Sequence, residues 1–141
     1  MPTEQISEIV MAKGDSAASH HYWRIEDAKV LSNIIDKPGP SVVIPNNSTI
    51  AVTSQGDLPI SEKLSPCARN AMILPGLKSA SLVSIGQLCD DDCNVLLNKK
   101  KLIAVKDNEI VLQGVRNYSG NVIKPVKTQE NRLSIFVNRS L

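Results

Sequence analysis

A chain of 141 residues is long enough for one domain with its own hydrophobic core, without disulfides to stabilise it. A formal net charge of +2 on scattered basic residues argues against a dedicated nucleic-acid surface, and an aromatic content of 3% leaves too few rings to stack single strands. No apolar run approaches the ~20 residues that span a bilayer, so we expect no membrane partner.

In the whole chain Val and Ile together outnumber Leu, and turn residues recur at short intervals, which predicts a mainly β fold.

The N-terminal quarter is predicted to contain one strand and one polar loop. Residues 1–8 are polar and are predicted to form an N-terminal extension. Residues 9–12 are predicted to form a strand that leads into the loop at residues 15–19. Apolar residues at helical spacing in residues 24–33 predict a helical turn or an irregular link.

The loop Asp15-Ser16-Ala17-Ala18-Ser19 has two interpretations. A carboxylate surrounded by backbone amides and a hydroxyl can be held ionised and aimed at a water molecule, which is typical of catalysis. The structural alternative is a turn or helix N-cap in which Asp15 or Ser16 bonds to nearby amides. The loop by itself does not decide between them.

The middle of the chain is predicted to hold a hairpin and further strands. Residues 41–44 and 48–53 flank Pro45-Asn46-Asn47, whose asparagines suit a hairpin turn. Residues 58–60 are predicted to add a third strand at a sheet edge, because Pro59 lacks an amide donor. Residues 71–74 are predicted to form a buried strand that ends at Pro75-Gly76.

The C-terminal half is predicted to contain one helix and a meander. Leu82, Ile85, Leu88 and Cys89 follow a serine at helical spacing, which predicts a capped helix, with Asp90-Asp91-Asp92 as a loop beyond it. Three runs at 94–97, 102–105 and 110–112 predict a β-meander, with Lys99-Lys100-Lys101 in a solvated turn. Residues 122–126 are predicted to form a last strand, and residues 127–141 a C-terminal tail or linker.

Cysteine and histidine usage gives no clear site. Cys67, Cys89 and Cys93 cannot all pair within one chain, which favours a reducing interior. Two of these cysteines with His20 and His21 would make four ligands, but the spacing differs from that of structural zinc knuckles, so no metal is predicted. The two histidines are interpreted as partly exposed loop residues, and Trp23 as a core or dimer-edge anchor.

The order of several motifs is more specific than any one of them. The chain resembles the retropepsin-like aspartic protease region of copia-type retrotransposon polyproteins, from about residue 9 to residue 126. The family pattern has Asp-Ser-Gly-Ala-Ser with a nearby His, a Pro-Asn-Gly hairpin, Val-Pro-Gly-Leu, and a Leu-Leu-Ser-Val/Ile-x-x-Leu helix start. The matching segments here are Asp15-Ser16-Ala17-Ala18-Ser19, Ile44-Pro45-Asn46-Asn47, Ile73-Leu74-Pro75-Gly76-Leu77 and Ser81-Leu82-Val83-Ser84-Ile85-Gly86-Gln87-Leu88.

The resemblance implies a retropepsin-like acid protease β-barrel with one short helix and an active site at a homodimer axis. Each chain would supply one aspartate, Asp15, with Ser16 bracing the loop across the dimer and Ala17 beside the catalytic water. The implied reaction is cleavage of a polypeptide, the element's own polyprotein, without a metal or an organic cofactor. The implied location is cytoplasmic, within a retroelement particle. The implied substrate-binding residues are Ala18, the flap residues Pro45, Asn46, Asn47 and Ser48, and Leu82 and Val83.

The chain departs from the family pattern at three places. Ala17 stands where the family has Gly, Asn47 replaces the hairpin Gly, and the Leu-Trp pair of the family is missing from residues 120–126. A methyl group obstructs close approaches that glycine permits. The departures leave a second hypothesis open: an inactive relic, or a β-barrel co-opted for dimerisation or peptide binding.

Overall fold

The computed structural model describes residues 10–43, 47–117 and 133–138. Strands dominate these residues, which confirms the predicted mainly β class. The strands are β1 (Val10–Asp15), β2 (His21–Trp23), β3 (Ser32–Ile35), β4 (Gly39–Val43), β5 (Thr49–Val52), β6 (Ser54–Asp57), β7 (Asn70–Ile73), β8 (Leu82–Ser84), β9 (Asn94–Leu97), β10 (Lys101–Lys106), β11 (Glu109–Asn117) and β12 (Leu133–Asn138). The helices are a 3-10 helix (Ile25–Val30), α1 (Pro66–Arg69) and α2 (Ile85–Cys89).

Ten of these strands form one sheet, in the order β3-β6-β7-β2-β8-β1-β12-β11-β10-β9. The hairpin β4–β5 forms a separate two-stranded sheet. Strands β3 and β9 lie at the two ends of the large sheet, so the described strands do not close into a barrel. The described residues also contain a second short α-helix, α1, where one helix was expected.

The hydrophobic core lies on one face of the large sheet. Along β1 the side chains alternate between buried and half-buried, as the period of two in a strand requires. The core face of the strands includes Trp23, Ile73 and Ile135, and it packs against Val30 of the 3-10 helix and Leu88 of α2. Trp23 is completely buried, which confirms its predicted place in the core.

The opposite face of the same sheet is only half-buried. Paired residues in adjacent strands lie side by side on one face of a sheet. The register therefore sets one row of neighbours across six strands, which we call the open face: Met72, Tyr22, Leu82, Lys13, Phe136 and Val115. All six side chains are partly exposed, and alternation along β1 places Asp15 on this side of the sheet too.

The predicted hairpin is confirmed, and it packs over one end of the open face. Val42 pairs with Ile50 in antiparallel register, and both pack, as Tyr22 and Met72 do, against a second buried hydrophobic cluster of Val52, Leu74 and Leu77. Asn47, at the turn, has a φ of 69°, a conformation that Asn tolerates better than most residues.

Two predicted elements are wrong. Leu82–Ser84 is a strand, and the helix begins only at Ile85 with Ser84 as its N-cap, because β8 pairs in parallel with β1. Residues 58–60 form no strand, since the Leu58 amide bonds to the Arg69 carbonyl and its side chain is buried in the core. The third strand is instead Ser54–Asp57, which joins the large sheet.

The C-terminal region also differs from its prediction as a tail or linker. Leu133–Asn138 forms β12, which lies between β1 and β11 and pairs in parallel with both. Leu133 and Ile135 are buried in the core. Six of the residues assigned to the tail are therefore part of the sheet, and they join the β-meander to the strand that carries Asp15. The strand predicted at 122–126 lies outside the described residues.

The remaining predictions for the C-terminal half are confirmed. Strands β9, β10 and β11 are consecutive antiparallel neighbours, which is the predicted meander. Helix α2 ends at Cys89, so the three aspartates that follow lie beyond it in turns. The Asn98 side chain accepts hydrogen bonds from the amides of Lys100 and Lys101. Lys99 and Lys100 lie in an exposed turn as predicted, whereas Lys101 is the first residue of β10.

Candidate functional site

The Asp15 loop begins at the carboxyl end of β1. Asp15 is half-buried, and its Oδ1 atom accepts a hydrogen bond of 2.8 Å from the amide of Ala17. Its second carboxylate oxygen has no hydrogen-bond partner among the described residues. One oxygen is therefore oriented by the loop while the other is available for a proton, a water molecule or a second carboxylate.

The tip of this loop is open to solvent. Ser16 and Ala17 are exposed, and Ala18 is half-buried. Ala17 is absent from the residues with positive φ, so its backbone lies outside the left-handed region that favours glycine. The alanine at this position therefore causes no backbone strain within the chain.

Strand β8 supports the loop from the side. Ser84 is the register partner of Asp15, and its Oγ donates a hydrogen bond of 2.7 Å to the carbonyl of Ala18. The same Oγ accepts the amide of Gln87 as the cap of α2. One serine thus links the Asp15 loop to the first turn of the helix.

The two predicted substrate-binding residues of β8 lie on opposite faces. Leu82 is half-buried on the open face, beside Lys13. Val83 is 1% exposed and packs in the core, because adjacent residues of a strand point to opposite sides. The Val83 side chain therefore supports the sheet below the loop, and a role for it in binding substrate stays a prediction.

A partly buried ion pair holds the start of β8 beside β1. The Arg24 guanidinium donates to the Asp27 carboxylate over 3.0 Å, and the Ser81 hydroxyl donates to the same carboxylate over 2.6 Å. The carboxylate beside it raises the pKa of Arg24 above its ordinary value. The Ser81 carbonyl accepts the Lys13 amide over 2.8 Å, so this network reaches the strand that ends at Asp15.

The two histidines that follow the loop have different environments. His20 is half-buried and its Nε2 lies 2.9 Å from the Asn70 side-chain oxygen. His21 is completely buried, which corrects its interpretation as a partly exposed loop residue. The cause is again alternation: His21 and Trp23 lie on the core face of β2, and Tyr22 lies on the open face.

Sequence reasoning missed Lys13 as a site residue. Lys13 lies two residues before Asp15 on the same face of β1, between Leu82 and Phe136. Its ammonium group makes no ion pair or hydrogen bond with any described residue. The spacing of two from Asp15 could have indicated it, but only the pairing with β12 shows that its neighbour is Phe136.

Two of the four predicted flap residues are described by the structure, and the other two lie outside the described residues. Asn47 and Ser48 are exposed at the tip of the β4–β5 hairpin. Pro45 and Asn46 lie outside the described residues. The hairpin strands pack against the same buried cluster as Tyr22 and Met72, and Tyr22 is the register neighbour of Leu82.

The other ionisable groups are structural. Hydrogen bonds from Lys106, at 2.8 Å, and from the Ser65 amide lower the pKa of Asp91 to about 2, and they tie the loop before α1 to β10. Burial raises the pKa of the Cys93 thiol. Cys67 and Cys89 are exposed, and all three cysteines are unpaired. In the described part of the chain, no three potential metal ligands lie close enough together to hold an ion.

The fold and the loop together define a mainly β protein with a half-buried carboxylate, Asp15, at the edge of an open sheet face. Comparisons of the chain with models of known protein families, with curated proteins and with solved structures find no match. None of the helices in residues 10–43, 47–117 and 133–138 has the length and apolar character required to cross a bilayer.

Proposed function

We propose that this chain is an aspartic endopeptidase domain that acts as a homodimer and cleaves the polyprotein of a retroelement. The observation that carries the proposal is the Asp15 carboxylate in an exposed loop, with one oxygen held by the Ala17 amide and the other without a partner among the described residues. The ordered motifs of the retropepsin-like family, in which this aspartate is catalytic, supply the reaction class. The chain has one such loop, so a second copy is required.

The chemistry follows from two like charges held close together. Two carboxylates about 3 Å apart do not both ionise readily, so they share one proton. The ionised carboxylate takes a proton from water, whose oxygen bonds to the peptide carbonyl carbon, while the other carboxyl protonates the carbonyl oxygen. Protonation of the amide nitrogen then allows the carbon–nitrogen bond to break. The pair titrates as one unit.

The surroundings of Asp15 suit an extended peptide. The open face offers apolar contacts from Leu82, Tyr22 and Phe136 beside the carboxylate. The β4–β5 hairpin is separate from the large sheet and packs on the cluster that Tyr22 also contacts, which supports a role for the hairpin as a flap over a bound substrate. The exposure of Ser16 and Ala17 leaves the loop tip accessible to the same loop of a second chain.

The test is cleavage of a mixed peptide library at mildly acidic pH, with the purified chain at a series of concentrations. We expect the activity per chain to rise with concentration and to level off where sedimentation shows a dimer, because each monomer supplies only half of the carboxylate pair. Full activity in a monomeric sample would overturn the shared site. A folded dimer that cleaves nothing would overturn the protease proposal and favour the inactive or peptide-binding module.

Lys13 adds a prediction about the substrate. The Lys13 ammonium group has no partner among the described residues and lies on the open face two residues before Asp15, which favours a substrate with a Glu or Asp side chain near the cleaved bond. We expect Lys13→Met to lower kcat/KM about tenfold for a Glu peptide, equivalent to about 1.4 kcal/mol, and to leave the matching Gln peptide nearly unchanged.

The matched control is Lys101→Met. Lys101 is exposed on β10, three strands from β1 and so about 14 Å away along the sheet. This variant should not alter the ratio of the kcat/KM values for the Glu and Gln peptides. Equal loss for both peptides in Lys13→Met would show that the lysine does not recognise an acidic side chain.

A further inference from the structure

The His21 ring makes two hydrogen bonds of fixed direction inside the core. Its Nε2 lies 2.7 Å from the carbonyl oxygen of Ala68 in α1, and its Nδ1 accepts the amide of Ser84 over 2.8 Å. A carbonyl can only accept and an amide can only donate. The ring is therefore neutral, with its proton on Nε2, and no other tautomer satisfies both partners.

The His21 backbone belongs to the same network. Its amide donates to the Gln87 side-chain oxygen over 2.7 Å, and the Gln87 side-chain nitrogen donates to the carbonyls of Cys67 and Asn70. The Ser84 amide donates a hydrogen bond to Nδ1 of the ring, and the Ser84 hydroxyl donates one to the Ala18 carbonyl. A continuous chain of bonds thus runs from α1 through the His21 ring and Ser84 to the loop of Asp15.

We propose that His21, in its neutral Nε2-protonated form, is a positioning residue that fixes the Asp15 loop through the Ser84 amide. This inference rests on the proposed function, because it gives His21 a role in keeping the Asp15 carboxylate in place. His21 does not touch the carboxylate or the loop tip. It orders Ser84, which is the register partner of Asp15 and the hydrogen-bond donor to Ala18.

A second proton on the ring would break this arrangement. A charged imidazole donates from both nitrogens, so Nδ1–H would face the N–H of Ser84. Burial lowers the pKa of His21 from 6.5 to about 4, with a smaller contribution from the charge of His20. The two hydrogen-bond partners of the ring, the Ala68 carbonyl and the Ser84 amide, do not titrate, and the centroid of the titratable His20 ring lies 6.3 Å from that of His21.

The contribution of His21 to the stability of the fold decreases as the pH falls. Between pH 6.5 and pH 4 the unfolded chain binds a proton at His21 and the folded chain does not, so the stability falls as the pH drops through this range. Below about pH 4 the folded ring is protonated as well, and the Ser84 bond is lost. The Asp15 loop should therefore loosen as the pH approaches 4.

Two conservative variants test separately the hydrogen bonds made by the two ring nitrogens. In His21→Asn the side-chain oxygen reaches the position of Nδ1 and can still accept the Ser84 amide, without a titrating group. In His21→Gln the side-chain amide reaches the position of Nε2 and keeps the bond to Ala68, but the Ser84 amide loses its acceptor. The measurement is hydrogen exchange at the amides of Ser84 and Ala17 by NMR, given as protection factors at pH 6.5.

We expect His21→Gln to lower the protection of Ser84 about tenfold, and His21→Asn to lower it much less. His21→Gln should lower kcat with little change in KM. Between pH 6.5 and pH 4, the Ala17 and Ser84 amides should lose protection in the parent chain and not in His21→Asn. Ser54→Ala is the matched control, because it removes a buried hydroxyl on β6, which is not adjacent to β1 or β8, and should leave the Ala17 amide unaffected.

Equal protection of Ser84 in the Asn and Gln variants would overturn the proposal. Protection of Ala17 that stays constant in every variant would do the same, since the loop would then not depend on His21. Exchange is measured on the folded chain whether or not it cleaves peptides. A chain that shows the expected exchange pattern but no cleavage would reject the protease function and leave His21 as the residue that positions the loop.

Discussion

Asp15→Asn should abolish peptide cleavage while leaving the fold intact. Asparagine has the shape of aspartate, and its side-chain oxygen can still accept the Ala17 amide that now bonds to Asp15. A neutral amide cannot share a proton with the second carboxylate or take one from water. We expect kcat to fall on the order of 10³-fold, the range found when a general acid or base is removed.

The measurement is cleavage of the peptide library by the parent and the variant at the same chain concentration. Asp36→Asn is the matched control, because Asp36 is an exposed loop carboxylate that makes no hydrogen bond or ion pair with a described residue, and its loss should not alter the rate. An excess of Asp15→Asn chains mixed with parent chains should also inhibit cleavage, since a mixed dimer has one carboxylate. Unchanged cleavage by Asp15→Asn would remove this residue from the reaction.

Gly114→Ala, which adds one methyl group, should cause a large loss of stability. A Cβ at Gly114 would overlap the carbonyl oxygen of Ile135 and come within 2.8 Å of its Cβ. Strands β11 and β12 pair at this point, so the atoms that would have to move belong to the backbone of a central strand. We expect the free energy of unfolding to fall by about 3 kcal/mol, the upper part of the range for overpacking.

Denaturant unfolding measures this change, and Gly86→Ala is its control. A Cβ at Gly86 would meet only the Ser84 hydroxyl, at 3.8 Å, and Gly86 lies exposed in α2, where alanine is favoured by up to about 1 kcal/mol. The control should therefore be neutral or slightly stabilising. A Gly114→Ala variant as stable as the parent would show that β12 does not pack against β11 in this register.

The same variant links stability to the site. Strand β12 lies between β11 and β1, and β1 ends at Asp15. If β12 no longer pairs with β11, the meander is separated from the rest of the sheet. Phe136 of β12 is also the neighbour of Lys13 on the open face. Gly114→Ala should thus reduce cleavage together with stability, whereas Asp15→Asn reduces cleavage alone.

Local patterns in the sequence predicted the elements whose partners are close along the chain. The β4–β5 hairpin and the β9–β10–β11 meander were predicted from alternation and turn residues, because their strands pair with the next strand in sequence. The end of α2 before three aspartates followed from the helix dipole. Each of these depends on a few adjacent residues.

Predictions failed where the partner is distant. The residues Leu82–Ser84 have apolar spacing that also suits a helix, and only pairing with β1, about seventy positions earlier, makes them a strand. Residues 133–138 had no visible companion, because their partners are β1 at the opposite end of the chain and β11. Burial of His21 likewise depends on α1 and β8, which bring Ala68 and Ser84 to its ring.

By itself the sequence determined the mainly β class, the local hairpin and meander, and Asp15 as the candidate carboxylate, since these follow from alternation, turn chemistry and one ordered set of motifs. Only the tertiary structure decided which residues surround that carboxylate. Lys13 and Phe136 become neighbours, and Val83 is buried, through the parallel pairing of β1 with β8 and β12. Such pairing joins distant segments, and a shift of one residue in register would exchange the two faces of the strand.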